Sequence, residues 1–153
     1  MNKKKILITG SEGYIGSHVF NYFKNKGYDV HTLDRNKSTH KSKRHYLIDL
    51  EAEQKKIYKV KYDCLIHLAS YTLPRESFTD VDKYLIGNLK MTNNLINIFP
   101  YFKKFIFTST ANLYKPSKKI SEKSEIEIQS PYAESKLINE KYLFHISKLH
   151  NSK

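Results

Sequence analysis

Three glycines near the start constrain this chain more than any other feature. Gly10, Gly13 and Gly16 stand at G-x-x-G-x-x-G spacing in Thr9-Gly10-Ser11-Glu12-Gly13-Tyr14-Ile15-Gly16. A short β-rich run, Lys5–Thr9, precedes them. Over residues 14–26 that follow, Ile15, Val19 and Phe23 recur at i, i+4 and i+8, one face of a helix. A glycine turn between strand and helix is the signature of a dinucleotide-binding unit. Gly10 permits the sharp turn, Gly13 removes a Cβ where backbone must approach a pyrophosphate, and Gly16 lets the helix close on the sheet. The helix start then offers free N–H groups and a positive dipole end to phosphates, with Tyr14 and Ile15 in its first turn.

Alternation of short apolar runs with longer amphipathic ones continues to the end. Gly27 closes the first helix. The spacing predicts strands at 28–33 (ending on Asp34), 46–50, 64–69 and 104–108. It predicts helices at 51–61 (weak), 80–99 and 131–149, and loops at 35–44 and 109–129. Val81, Leu85, Leu89 and Ile96 mark a stripe of the long helix, which Pro100 stops. Ser130 before Pro131 reads as an N-cap followed by a first-turn proline. Strand and helix alternate throughout. The class is therefore α/β, a Rossmann-type doubly wound parallel sheet of about five strands, in one domain over residues 1–153.

Asp34 lies at the end of the second strand, where a carboxylate accepts both ribose hydroxyls of an adenosine half and repels a 2′-phosphate. Such a charged hydrogen bond is worth roughly 1.5–3 kcal/mol. This favours NAD over NADP, while Arg35 beside it keeps NADP as the lesser alternative. Tyr132 and Lys136, four apart on the last helix, share one face. A phenol titrating near 10 is a poor base, but a nearby ammonium and a positive nicotinamide both favour the phenolate. Tyr132 is then able to take a proton from a substrate hydroxyl. Thr108, Ser109 and Thr110 follow the fifth strand, where such sheets open their ligand crevice. A hydroxyl there can stabilise charge developing on the substrate oxygen.

These pieces together resemble the extended short-chain dehydrogenase/reductase family, specifically the NAD-dependent epimerases and dehydratases of nucleotide sugars, with UDP-glucose 4-epimerases the nearest likeness. The matching segments are TGSEGYIGSH (9–18), Asp34, Asp49-Leu50, HLAS (67–70), Asn88, FIFTSTANLY (105–114) and SPYAESK (130–136). The resemblance implies that Tyr132 is the catalytic base and acid, that Lys136 binds the nicotinamide ribose and tunes it, and that Thr110 shares the substrate proton. It implies backbone contacts from Tyr14 and Ile15 to the pyrophosphate, adenine between Asp49 and Leu50, a cofactor channel lined by Leu68, Ala69 and Ser70, and a turn organised by Asn88. It also implies a nucleotide-sugar substrate and a homodimer through helices 80–99 and 131–149. Family members run to more than twice this length, so the chain corresponds to their N-terminal portion, lacking the C-terminal substrate domain. Lys115 stands where the family usually has glycine. A weakly active or inactive NAD-binding module is the alternative function.

Other readings carry less. The formal net charge is +12, but 24 of the 27 basic residues are Lys and only Arg35, Arg44 and Arg75 carry the forked guanidinium suited to bases and phosphates. The charge is read as solvated surface, with no nucleic-acid partner. No apolar run suits a membrane span, and no signal peptide is expected. The single cysteine, Cys64, forbids an internal disulfide, reads as an inert buried thiol and fits a reducing cytoplasm. His67 reads as a histidine of the core, or one that supports the site from behind, rather than a catalyst, and the other histidines show no metal-ligand spacing.

Overall fold

Alternation along each strand sends side chains to two opposite faces, and both are apolar here. In the computed structural model, which describes residues 3–150, the strands are β1 (Lys5–Thr9), β2 (Asp29–Asp34), β3 (Arg44–Leu47), β4 (Cys64–His67) and β5 (Phe105–Phe107). They form one parallel sheet in the order β3-β2-β1-β4-β5. Ile6 and Ile8 of β1 join Val30 and Ile66 beneath Phe20 of α1 (Tyr14–Asn25). Leu7, Leu33 and Leu65 face the other way, against Met91, Leu95 and Ile98 of α2 (Asn88–Ile98). Phe20, 1% exposed, contributes on the order of 2 kcal/mol by leaving water. Helices on both faces make the sheet doubly wound, as expected. The strand order reverses at β1, so a crevice opens where the carboxyl ends of β1 and β4 diverge toward opposite crossovers.

The third helix, α3 (Pro131–His150), packs on α2 and the turn before it. Ser130 caps it as expected, its Oγ accepting from the Ala133 N–H at 3.1 Å. Several expected details differ. The inward face of α1 is centred on Gly16 and Phe20, one residue along from the predicted stripe, and Ile15 is exposed. The third strand is Arg44–Leu47, earlier than 46–50. Residues 51–61 form no helix. Tyr58, Val60 and Tyr62 alternate inward from extended backbone, and Tyr58 and Tyr62 donate N–H bonds to Ile98 O and Tyr101 O. The long helix is interrupted by a π-helical turn, Lys83–Gly87, and its buried face runs through Tyr84, Asn88, Met91, Thr92 and Leu95 while Val81 is exposed. The 109–129 loop contains a 3₁₀ turn, Ala111–Leu113, and an antiparallel bridge between Tyr114 and Ile126, with Lys115 bonded to Glu125.

Among the described residues no strand pairs with the outer side of β5. A groove of about 320 Å³ runs along it, lined by Phe105, Phe107, Leu143 and Phe144. Again among the described residues, no helix is long and apolar enough to cross a membrane.

The glycine turn is fixed by sterics. Gly10 has φ +67°, and a Cβ there would lie 2.8 Å from Ala69 N. A Cβ on Gly16 would strike the Gly10 carbonyl and lie 2.8 Å from Ser11 Cα, with only backbone to yield. Gly16 therefore seats the helix on the turn itself. Gly16→Ala should lower unfolding stability by about 1–3 kcal/mol, the usual cost of overpacking, readable as a shifted denaturation midpoint with an unchanged m-value.

Candidate active site

The crevice is a continuous cavity of about 570 Å³. At one end lie Gly10, Gly13, Tyr14, Ile15 and Gly16. Here α1 begins with no side-chain cap and no acidic residue in its first turn, so its N–H groups face the cavity as a ready anion site. Gly13, the N-cap, keeps that approach free of a Cβ. At the other end stand Thr108, Ser109, Tyr132 and Lys136. Ser109 Oγ is buried without a hydrogen-bond partner, a polar atom awaiting one on the cavity wall. An uncapped helix start, a turn that tolerates no Cβ and an orphaned hydroxyl together suit an elongated ligand with phosphates at one end.

Asp34 and Arg35 line the side near β2. The Asp34 carboxylate is buried and accepts the Glu12 N–H at 3.0 Å on one oxygen and the Asn36 N–H at 2.9 Å on the other. Each oxygen keeps a lone pair for a further donor. Asp49 and Leu50 also reach the wall; Asp49 is exposed, Leu50 buried. Leu68, Ala69 and Ser70 form the facing side. Two predicted residues do not line the cavity. Asn88 lies behind it, accepting the Tyr71 N–H at 2.8 Å and the Ser70 hydroxyl at 3.2 Å, and so shapes the turn after β4. Thr110 sits beside Tyr132 and accepts the Asn112 N–H.

Sequence reasoning missed Glu12, Leu33, Asn36, Ile48, Tyr71, Thr72 and Met91 on the wall. Glu12 alone had a visible position, inside the glycine turn. Its carboxylate turns away to bind Thr39 N and Thr39 Oγ1, each at 2.7 Å, and Ser38 Oγ. Burial would raise its pKa, but the Thr39 and Ser38 bonds and His40 bring it below the ordinary value. Glu12 thus pins the basic 35–44 loop to the glycine turn. Tyr71 donates its hydroxyl to Glu51, and burial with that bond pushes its pKa up to about 12.

The Tyr132–Lys136 pair shares one face as expected. Lys136 is 4% exposed, with Nζ 4.9 Å from the Phe107 ring centre and 5.7 Å from that of Tyr132. The expected lowering of the phenol pKa is not met in the protein alone. Burial raises it, and the Thr110 hydroxyl pulls the other way. Burial also lowers Lys136, to about 8. Below pH 8 the folded state bears the full cost of a buried ammonium. Between that value and the ordinary 10.5 the folded lysine has lost a proton that the unfolded one keeps, so stability rises with pH. Lys136→Met should therefore be more stable than the parent at pH 7, by on the order of 3 kcal/mol. Denaturant unfolding followed from pH 7 to about 11 should show the advantage vanish.

A family model described as the NAD dependent epimerase/dehydratase family matches residues 6–153. The chain is 28% identical to the UDP-glucose 4-epimerase of Pisum sativum, over 96% of this chain and 49% of that enzyme. It is 31% identical to the UDP-glucose 4-epimerase of Bacillus subtilis, over 90% and 46%. Among solved structures, it superposes on the UDP-Glc/GlcNAc 4-epimerase of Campylobacter jejuni with TM-score 0.78 at 28% identity, covering 95% of this chain and 50% of that one. The UDP-glucose 4-epimerase of Bifidobacterium longum, solved with NAD+ and UDP, gives TM-score 0.78 at 27% identity, over 95% and 50%. The chain spans about half the length of the curated relatives it matches. With the glycine turn, the doubly wound sheet and the paired tyrosine and lysine already in place, the match over nearly the whole sequence makes this chain a member of the NAD dependent epimerase/dehydratase family.

Proposed function

We propose that this chain binds NAD and serves NAD-dependent epimerisation or dehydration of a nucleotide sugar. The observation that carries the reading is the single cavity joining the uncapped start of α1 to Tyr132 and Lys136. Gly10, Gly13, Tyr14, Ile15 and Gly16 hold the pyrophosphate, and Asp34 with Arg35 the adenosine ribose. Asp49 and Leu50 flank the adenine, and Leu68, Ala69 and Ser70 wall the channel. Thr108, Ser109 and Lys136 hold the nicotinamide half, with Asn88 acting through the turn it shapes. The coenzyme supplies, when bound, reversible acceptance of hydride from the sugar.

The protein manages the proton. Tyr132 removes it from the sugar hydroxyl and returns it, and Thr110 shares a hydrogen bond with the same oxygen. Lys136 supplies positive charge that offsets the burial acting on the phenol. The Asp34 carboxylate favours NAD over NADP. Helices 80–99 and 131–149 carry exposed Ile86 and Phe144, suiting a homodimer through those faces. The protein is read as cytoplasmic.

A second reading has its own support. The relatives are twice as long, and among the described residues no strand pairs with the outer side of β5. On that reading the 153-residue chain is an NAD-binding module with little turnover.

Calorimetric titration separates coenzyme binding from turnover. NAD should release heat with one-site stoichiometry, and NADP should bind at least tenfold more weakly. Absence of heat with both would overturn the coenzyme assignment. Where conversion of UDP-glucose is measurable, Tyr132→Phe should lower it by about 10²–10⁴-fold, the range for a lost general base, while NAD affinity changes less than about twofold.

A further inference from the structure

A file of buried hydrogen bonds runs behind the cavity from the glycine turn to α3. Thr9 Oγ1 lies 3.2 Å from both Leu68 N and Ala69 N, and 2.7 Å from His67 Nδ1. On the other side of the ring, His67 Nε2 is 3.2 Å from Thr92 Oγ1, which is 3.2 Å from the Asn88 carbonyl. Asn88 Nδ2 continues to Ser135 Oγ at 3.0 Å, and Ser135 Oγ to the Tyr132 carbonyl at 2.8 Å. Thr9, His67, Asn88, Thr92 and Ser135 are all buried.

The protons in this file follow by elimination. A hydroxyl has one proton and two acceptor sites. Thr9 Oγ1 accepts two backbone N–H groups, so its proton goes to His67 Nδ1. That nitrogen is then bare, and the neutral ring carries its hydrogen on Nε2. Nε2–H donates to Thr92, and Thr92 donates to the Asn88 carbonyl. Every donor has an acceptor only with this tautomer. A protonated ring would aim a second N–H at Thr9 Oγ1 and displace a backbone donor from it. Burial and the Lys136 charge oppose that state, and hold the ring down to about 3.

We propose that His67 is a positioning residue: as the Nε2–H tautomer, it locks the Leu68–Ala69 cavity wall to the helix that carries Tyr132. The effect on coenzyme rests on the NAD reading above, whereas the tautomer and the locked wall do not. Two substitutions cut the file on opposite sides. His67→Asn keeps an oxygen near the Nδ1 position to accept from Thr9. His67→Gln reaches toward Thr92 but gives Thr9 no acceptor, although it is nearer to histidine in volume.

The test uses the full chain without coenzyme first. ¹⁵N NMR of the histidine rings should show His67 with hydrogen on Nε2 and no titration between pH 5 and 8 (the window in which an ordinary histidine charges). Amide exchange at Leu68 and Ala69 should accelerate about tenfold in His67→Gln and less than about twofold in His67→Asn, as loss of one net hydrogen bond implies. Where NAD binds, its affinity should follow the same order. An Nδ1–H ring, a ring that charges in that pH window, or Gln tolerated better than Asn would each overturn the proposal. Absence of NAD binding alongside the predicted ring and exchange behaviour would sink the coenzyme reading and leave the positioning role standing.

Discussion

The contact between the Gly10 carbonyl and the first turn of α1 is the constraint on which the remaining geometry depends. Because no Cβ intervenes at Gly16, the helix begins directly against the bend that ends β1. That proximity aims the free N–H groups of α1 across the mouth of the crevice. It also leaves Gly10 pressed against Ala69, so the β1 and β4 ends are held at a fixed separation. A packed interior transmits such a constraint because it has no slack to absorb it.

Polar groups extend the same rigidity where apolar packing stops. Behind the cavity wall lie threonine, serine, asparagine and histidine, all buried and mutually bonded. Such groups are costly when unpaired and specific when every partner is present. The contrast with Ser109, whose buried Oγ lacks a partner, is therefore informative. On the opposite side Glu12 performs a similar service with charge, fastening the basic loop after β2 to the glycine turn.

Much of this was legible in the residues, for identifiable reasons. Gly10, Gly13 and Gly16 announced a turn because few other residues survive there. Tyr132 and Lys136 announced a shared face because four residues is nearly one turn. Asn88 and Thr110 were assigned to the site but stand beside its wall, since adjacency in a motif does not say which side of a turn an atom occupies. Residues 51–61 misled because Glu, Gln and Lys favour helix while Tyr58, Val60 and Tyr62 alternate as extended chain; docking onto Phe99 decided the outcome. The stripes on α1 and the long helix were displaced because spacing fixes a period and leaves its phase to packing. Tyr71, Met91 and Ile48 carried no local signal, because their place on the wall follows from strand order.

The π-helical turn at Lys83–Gly87 brings Tyr84 into the interior, its ring edge-on to Tyr132 with centres 6.4 Å apart, and leaves Ile86 60% exposed. Such a turn accommodates one residue more than a regular helix would. It acts as a phase shifter: the segment upstream is rotated by about 100° relative to an uninterrupted helix. Shortening the chain there by a single residue would restore the regular ladder and swing Tyr84 away from the tyrosine it supports. The irregularity therefore makes the local length of the chain, and not merely its composition, a determinant of the site.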